Sequence, residues 1–268
     1  MVLESDGPRF LQVAFRQIDL NDRLFAFAFP EEPDDTFVAG IREYGIMVPP
    51  VLQEREADGF RVVSGHRRLA GAVEAGLAEA CCRVVGREID DKILYFRQVR
   101  DNVLTREVND LERARCLDRL VSRFQADEME IAEVMNLLGL ASGRRILEQV
   151  LGLVRLSADL ARYVVDHAIP IRVSTRIAGY GPGDQSAVAA LLREVKLGGN
   201  GLKVVLDLVE EIALREKITV AAVFQRDKIR EILDESRWTG TQKREKLKEA
   251  LVVLRYPCCR REWRRLRP

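Results

Sequence analysis

Apolar residues along the first hundred positions change period several times, and each change marks an element. Residues 10–18 are short and apolar, as an opening strand would be. Over residues 35–43 Phe37, Val38 and Ile41 fall at helical spacing, and Tyr44-Gly45 is a helix C-terminal signal. Val48-Pro49-Pro50-Val51-Leu52 predicts a proline-entered strand, Asp58-Gly59 a hairpin turn, and Phe60-Arg61-Val62-Val63 an antiparallel partner strand. After Ser64-Gly65 the period lengthens: Leu69, Ala70, Val73 and Leu77 share one helical face, which Gly76 weakens near its end. Another strand is expected over 80–85 and a helix over 90–100.

Beyond Leu111 the pattern is helical almost throughout. Helices are predicted over 111–124, 128–138, 144–153, 158–167, 185–194, 202–214 and 220–232. Gly139, Ser142-Gly143, Pro170 and the glycines of 179–183 and 198–201 place the breaks. The pattern predicts an α+β domain over 10–108, an all-α helical domain over 109–235 and a basic tail over 236–268. Within that tail 243–254 is amphipathic, with Leu247, Ala250, Leu251 and Leu254 on one side, and Trp238 and Trp263 bracket it.

Composition narrows the classes. Of 268 residues 47% are hydrophobic and 32% charged, enough apolar material for a core and too much for wholesale disorder. No apolar run approaches the ~18–20 residues that cross a bilayer, and residues 1–10 lack a cationic-then-apolar leader. The expected setting is therefore cytoplasmic, with no membrane partner. The 5 cysteines include the vicinal pairs Cys81-Cys82 and Cys258-Cys259, which fit neither a disulfide framework nor a zinc signature. The net charge of +1 is unevenly spread: residues 236–268 hold eleven Lys or Arg against three acids. Charge alone leaves a polyanion contact and a solvated helix face equally open for that tail.

The most specific chemistry lies in Val62-Val63-Ser64-Gly65-His66-Arg67-Arg68-Leu69-Ala70, where a strand ends at a glycine and two arginines open a helix. A helix N-terminus presents unpaired N–H groups and a positive dipole end, a glycine allows close approach, and guanidinium forks match phosphate oxygens. Cations are disfavoured at that place without an anion, so phosphate binding is favoured over two surface arginines. His66 fits a proton shuttle, a phosphate contact or a structural imidazole; with no second ligand at metal spacing, it is not a metal ligand. His167, near a helix C-terminus, reads as structural. Arg100-Asp101-Asn102-Val103-Leu104-Thr105-Arg106 pairs a carboxylate with a carboxamide, which can give a phosphate-bound magnesium two oxygens or be simply a turn.

Together these residues resemble the ParB-like family of partition and nucleoid-associated proteins. That family's Gly-Glu-Arg-Arg motif is matched by Gly65-His66-Arg67-Arg68. Its cytosine-surrounding segment is similar to Glu43-Tyr44-Gly45-Ile46-Met47-Val48-Pro49-Pro50, and its Glu-Asn-x-x-Arg segment to the stretch from Asp101 to Glu112. The likeness is strong over 40–115 and looser elsewhere between 13 and 211. The resemblance implies a ParB-like α+β domain that binds CTP with Mg2+, followed by a helical domain with a helix-turn-helix. It also implies double-stranded DNA as partner, a homodimer, a partition ATPase as a further partner and a nucleoid-associated location. Carried across, Gly45, Ile46, Val48 and Pro49 surround the base; Gly65, His66, Arg67, Arg68 and Arg106 meet the phosphates; Asp101 and Asn102 support the metal. His66 stands where the family's Glu serves hydrolysis, so slow or no CTP turnover is expected. Thr105 stands where the motif's Arg belongs, with Arg106 one place later.

A helix-turn-helix would use 128–138 and 144–153 and read base edges with Arg144, Arg145 and Gln149. Against it, residues 127–159 carry six acids and three arginines, and an ordinary helical bundle fits the same pattern. A ParB-fold phosphotransferase or nuclease, or an adaptor without ligands, remains the alternative function.

Overall fold

The computed structural model describes residues 9–29, 32–56 and 59–255. It divides into two compact units, 1–147 and 148–268. The sequence boundary at 108/109 thus falls inside the first unit.

Five strands form one sheet in the first unit: β1 (Arg9–Ala14), β2 (Ile18–Asp19), β3 (Val51–Glu54), β4 (Phe60–Ser64) and β5 (Glu79–Val85), in the order β1-β5-β3-β4-β2. The hairpin pair β3–β4 is antiparallel, as expected, whereas β3 and β5 run parallel, joined by a crossover through β4 and the helix that follows it. β5 shows the alternation of a half-buried strand: Ala80, Cys82 and Val84 face inward while Glu79, Cys81 and Arg83 are exposed. With Val13, Ile18, Leu52, Val62 and Leu69 they form the core beneath the sheet.

Among the described residues five helices complete this unit: α1 (Asp35–Tyr44), α2 (His66–Glu74), α3 (Asp91–Thr105), α4 (Asp110–Ser122) and α5 (Glu128–Leu137). The Asp34 side chain caps α1 through the Phe37 N–H, and Gly45 ends it at φ 71°. Asn109 and Glu112 form a reciprocal capping box on α4, and Asp127 and Glu130 repeat it on α5.

Three expectations are corrected here. The first strand stops at Ala14, and a single 3-10 turn over 15–17 separates it from β2. The prolines 49 and 50 precede β3 rather than opening it. The helix predicted over 90–100 runs on to Thr105, so Asp101 and Asn102 sit in its closing turns and are not a turn dipeptide.

α6 (Arg144–Gly152) follows a six-residue connection, 138–143, in which Gly139 (φ 72°) and Gly143 (φ 149°) take conformations closed to most residues. That connection is longer than the 3–4 residues of a usual helix-turn-helix. The second unit holds α7 (Ala158–Asp166), α8 (Ile171–Ala178), α9 (Pro182–Val195), α10 (Gly199–Glu216), α11 (Val220–Phe224), α12 (Asp227–Asp234) and α13 (Gly240–Arg255). α8 was not expected, and the single helix predicted over 220–232 is broken at Gln225-Arg226. α13 covers the described part of the basic tail, and it is packed. Leu247 and Leu251 are fully buried. Lys243 bonds Glu194 at 2.9 Å, Arg244 the Lys196 carbonyl at 3.0 Å, and Arg255 Glu211 at 2.7 Å. These basic groups meet acids and carbonyls of the same unit. Cys258-Cys259, Trp263 and the last five arginines of the tail lie outside the described residues.

Candidate functional site

The strand β4 delivers Gly65 to the start of α2, where it takes φ 98°. A Cβ there would lie 3.0 Å from Pro50 Cβ, so both conformation and space call for glycine. No side chain caps this helix, which leaves its first N–H groups directed at a cavity of about 370 Å3. The cavity is lined by Gly65, His66, Arg67 and Arg68 from the α2 start and by Gln98, Asp101, Asn102, Thr105 and Arg106 from the end of α3. Arg23, Ala26, Phe27, Ala28 and Phe29, together with Phe37 and Glu112, close it.

Each arginine is held by something other than a ligand. Arg67 pairs with Asp34 at 2.6 Å and lies over the Phe37 ring at 4.7 Å. Arg68 donates to the Val48 carbonyl and, at 3.2 Å, to the Pro49 carbonyl. Burial pulls the Arg68 pKa below its usual value, and the nearby Asp101 charge opposes that. Arg106 donates to Asn102 Oδ1 at 3.0 Å and to Glu112 Oε2 at 2.8 Å.

Glu112 organises the wall opposite. Its side chain is 2% exposed and also accepts from the Phe29 N–H at 2.9 Å and the Asn109 N–H at 3.1 Å. Asn109 returns a bond to the Phe29 carbonyl, Arg115 reaches the Ala28 carbonyl and Arg119 the Leu24 carbonyl. α4 therefore straps the 23–29 segment into place as one side of the cavity.

His66 is half-buried, and its shielded Nε2 has no hydrogen-bond partner among the described residues. Burial, then the charge of Arg23, lowers its pKa to about 4, against the pull of the Asp22 carbonyl. The imidazole is neutral in this state, contrary to the cationic phosphate ligand that an anion-filled site implies. Gln98, 8% exposed, likewise leaves its Oε1 unpartnered.

The structure thus brings together Gly65, His66, Arg67, Arg68, Asp101, Asn102 and Arg106. Gly45, Ile46, Val48 and Pro49 do not line the cavity; the last two are tied to it only through Arg68. The magnesium set does not fit this arrangement. Asn102 Oδ1 already receives the Arg106 guanidinium, which leaves Asp101 as the one open oxygen ligand of the pair. Among the described residues no group of three or more His, Cys, Asp or Glu is placed to hold a metal. Arg144 and Arg145 are exposed in the first turn of α6, and Gln149 is half-buried on the next. Sequence reasoning missed Arg23, Phe27, Phe29, Gln98 and Glu112. The alternation Phe25-Ala26-Phe27-Ala28-Phe29 was the available signal for the first wall.

Fold and site define an α+β domain with an arginine-lined cavity at a glycine-led helix N-terminus. No family model matches the chain. It is 32% identical over 130 residues to a probable chromosome-partitioning protein ParB of Xylella fastidiosa, a match covering 48% of this chain and 41% of that protein. It is 27% identical over 128 residues to the counterpart in Vibrio cholerae, with the same two coverages of 48% and 41%. The matched stretch therefore spans about two fifths of the length of these relatives. Among solved structures, a C-terminally truncated ParB of Caulobacter crescentus complexed to the centromeric parS site aligns at a TM-score of 0.36 and 19% identity, over 72% of this chain and 96% of that one. The chain carries a ParB-like domain.

Proposed function

We propose that this chain is a DNA-binding protein of the partition type whose N-terminal cavity binds CTP. The observation that carries the reading is the cavity itself: uncapped N–H groups of α2 behind Gly65, with Arg23, Arg67, Arg68 and Arg106 around them. Its volume of about 370 Å3 falls in the range of small-molecule sites. The similarity to chromosome-partitioning proteins supports the same reading.

The α2 amides and Arg67 hold phosphate oxygens by charge-assisted bonds. Arg68 serves as a link: its guanidinium grips the Val48 and Pro49 carbonyls, so a phosphate that engages it also acts on the 45–49 segment. That segment closes over the base. DNA contact falls to Arg144, Arg145 and Gln149 of α6, in a homodimer whose grip on DNA the nucleotide controls and which a partition ATPase moves. A neutral, half-buried His66 in place of a carboxylate makes CTP turnover slow or absent.

Fluorescence anisotropy of a labelled duplex, measured with and without CTP, tests the proposal. The expected result is DNA binding whose affinity or lifetime changes with CTP. DNA binding that ignores CTP, or no binding in either state, refutes it.

A further inference from the structure

Arg106 holds the oxygens that a divalent cation beside the cavity would need. It stands directly after α3, with its backbone N–H on the Asn102 carbonyl at 3.0 Å. Its Nε donates to Asn102 Oδ1 at 3.0 Å, and its Nη1 to Glu112 Oε2 at 2.8 Å and to the Glu107 carbonyl at 3.1 Å. Nη2 has no partner among the described residues, and the side chain lines the cavity.

The Asn102 carboxamide is not free to turn. Its Nδ2 donates to the Gln98 carbonyl, one helical turn back, at 2.9 Å. A flipped amide would set its N–H groups against the guanidinium and its oxygen against that carbonyl. Arg106 is held as firmly on its other side, because Glu112, 2% exposed, would lose its counter-charge if the guanidinium left.

Asp101 is the remaining oxygen ligand of the pair, and it is exposed. Arg68 is near enough to feel its charge, and Arg106 sits on the next side chain along α3. Magnesium requires oxygens at about 2 Å in octahedral order. Here it would bring two positive charges up against two guanidinium groups.

We propose that this cavity takes a polyphosphate without a divalent cation. The Arg106 guanidinium stands on Asn102 Oδ1 in the cation's place and offers Nη2 to a phosphate oxygen. A guanidinium stays charged at any physiological pH and matches phosphate geometry, so the site carries its own countercharge. Magnesium in solution then competes for the phosphate oxygens instead of assisting their capture. The proposal rests on the nucleotide reading for CTP, and on the cavity alone for the triphosphate.

The test is calorimetry of inorganic triphosphate, and separately of CTP, against the full chain in EDTA and in excess Mg2+. The expected result is binding in EDTA that Mg2+ leaves equal or weakens. A gain beyond ~3-fold from Mg2+ overturns the proposal. Arg106→Gln keeps a donor for Glu112 but loses the charge. It should bind triphosphate in EDTA at least ~10-fold more weakly than wild type. Equal affinity of the two proteins overturns the role given to Arg106. Triphosphate binding in EDTA, with no CTP binding, upholds the proposal and refutes the nucleotide reading. CTP binding that requires Mg2+ overturns the proposal and leaves the nucleotide reading standing. No binding of either ligand overturns both.

Discussion

Replacing Glu112 by alanine should loosen the cavity wall far more than a single lost carboxylate would imply. The side chain is 2% exposed and satisfies three donors at once: the Phe29 N–H at 2.9 Å, the Asn109 N–H at 3.1 Å and Arg106 at 2.8 Å. Loss of its half of the α4 capping box costs about 1 kcal/mol. The stranded Phe29 N–H costs roughly 1–3 kcal/mol. Arg106, about one third exposed, rehydrates and adds under ~1 kcal/mol. Together about 2–5 kcal/mol is expected, or on the order of 10 °C in the melting of the first unit. Hydrogen exchange resolved by peptide is the assay, because it reads the two units separately. The Phe29 amide and the first turn of α4 should lose protection selectively, with residues 158–255 unchanged. A loss below ~1 kcal/mol with Phe29 still protected would refute the strap assigned to Glu112.

Arg68→Ala should weaken CTP at least ~10-fold, since each charge-assisted bond is worth ~1.5–3 kcal/mol; titration calorimetry giving wild-type affinity would contradict it. Leu251→Ala should cost about 2–5 kcal/mol in the second unit, because the fully buried side chain anchors α13; denaturation within ~0.5 kcal/mol of wild type would mean the helix is not part of the core. The ligand-free chain should lose stability as pH falls from about 6.5 toward 4, since His66 is held neutral down to about 4 when folded and takes a proton earlier when unfolded. His66→Gln should flatten that limb of the stability profile in chemical denaturation, and an unchanged acid limb would place the effect elsewhere.

The glycine-then-arginine start of α2 was legible in the sequence because its chemistry is local: a strand, a positive-φ residue and two cations at a helix N-terminus. Element type was equally legible wherever periodicity ran long, as in α1, α4, α9 and α10. Asp101-Asn102 misled because both are good turn residues, while the helix through them is fixed by the packing of Leu94, Tyr95 and Val99. α8 hid between Pro170 and Gly179, in an arginine-rich stretch whose apolar stripe of Val173, Ile177 and Ala178 is narrow. The 23–29 wall alternates Phe with Ala yet forms no strand, and its place comes from α4 bonds spanning 80 to 96 residues of chain. Composition left the basic tail open between a polyanion contact and a solvated helix face; only tertiary structure pairs Lys243 with Glu194 and Arg255 with Glu211.

The central claim is that the cavity at the start of α2 holds the phosphates of a nucleotide. A crystal structure of the chain grown with CTP tests it most directly. The account predicts phosphate density against the amides that follow Gly65, within hydrogen-bond reach of Arg67 and Arg68. Nucleotide bound elsewhere, or the cavity empty at millimolar CTP, would contradict it.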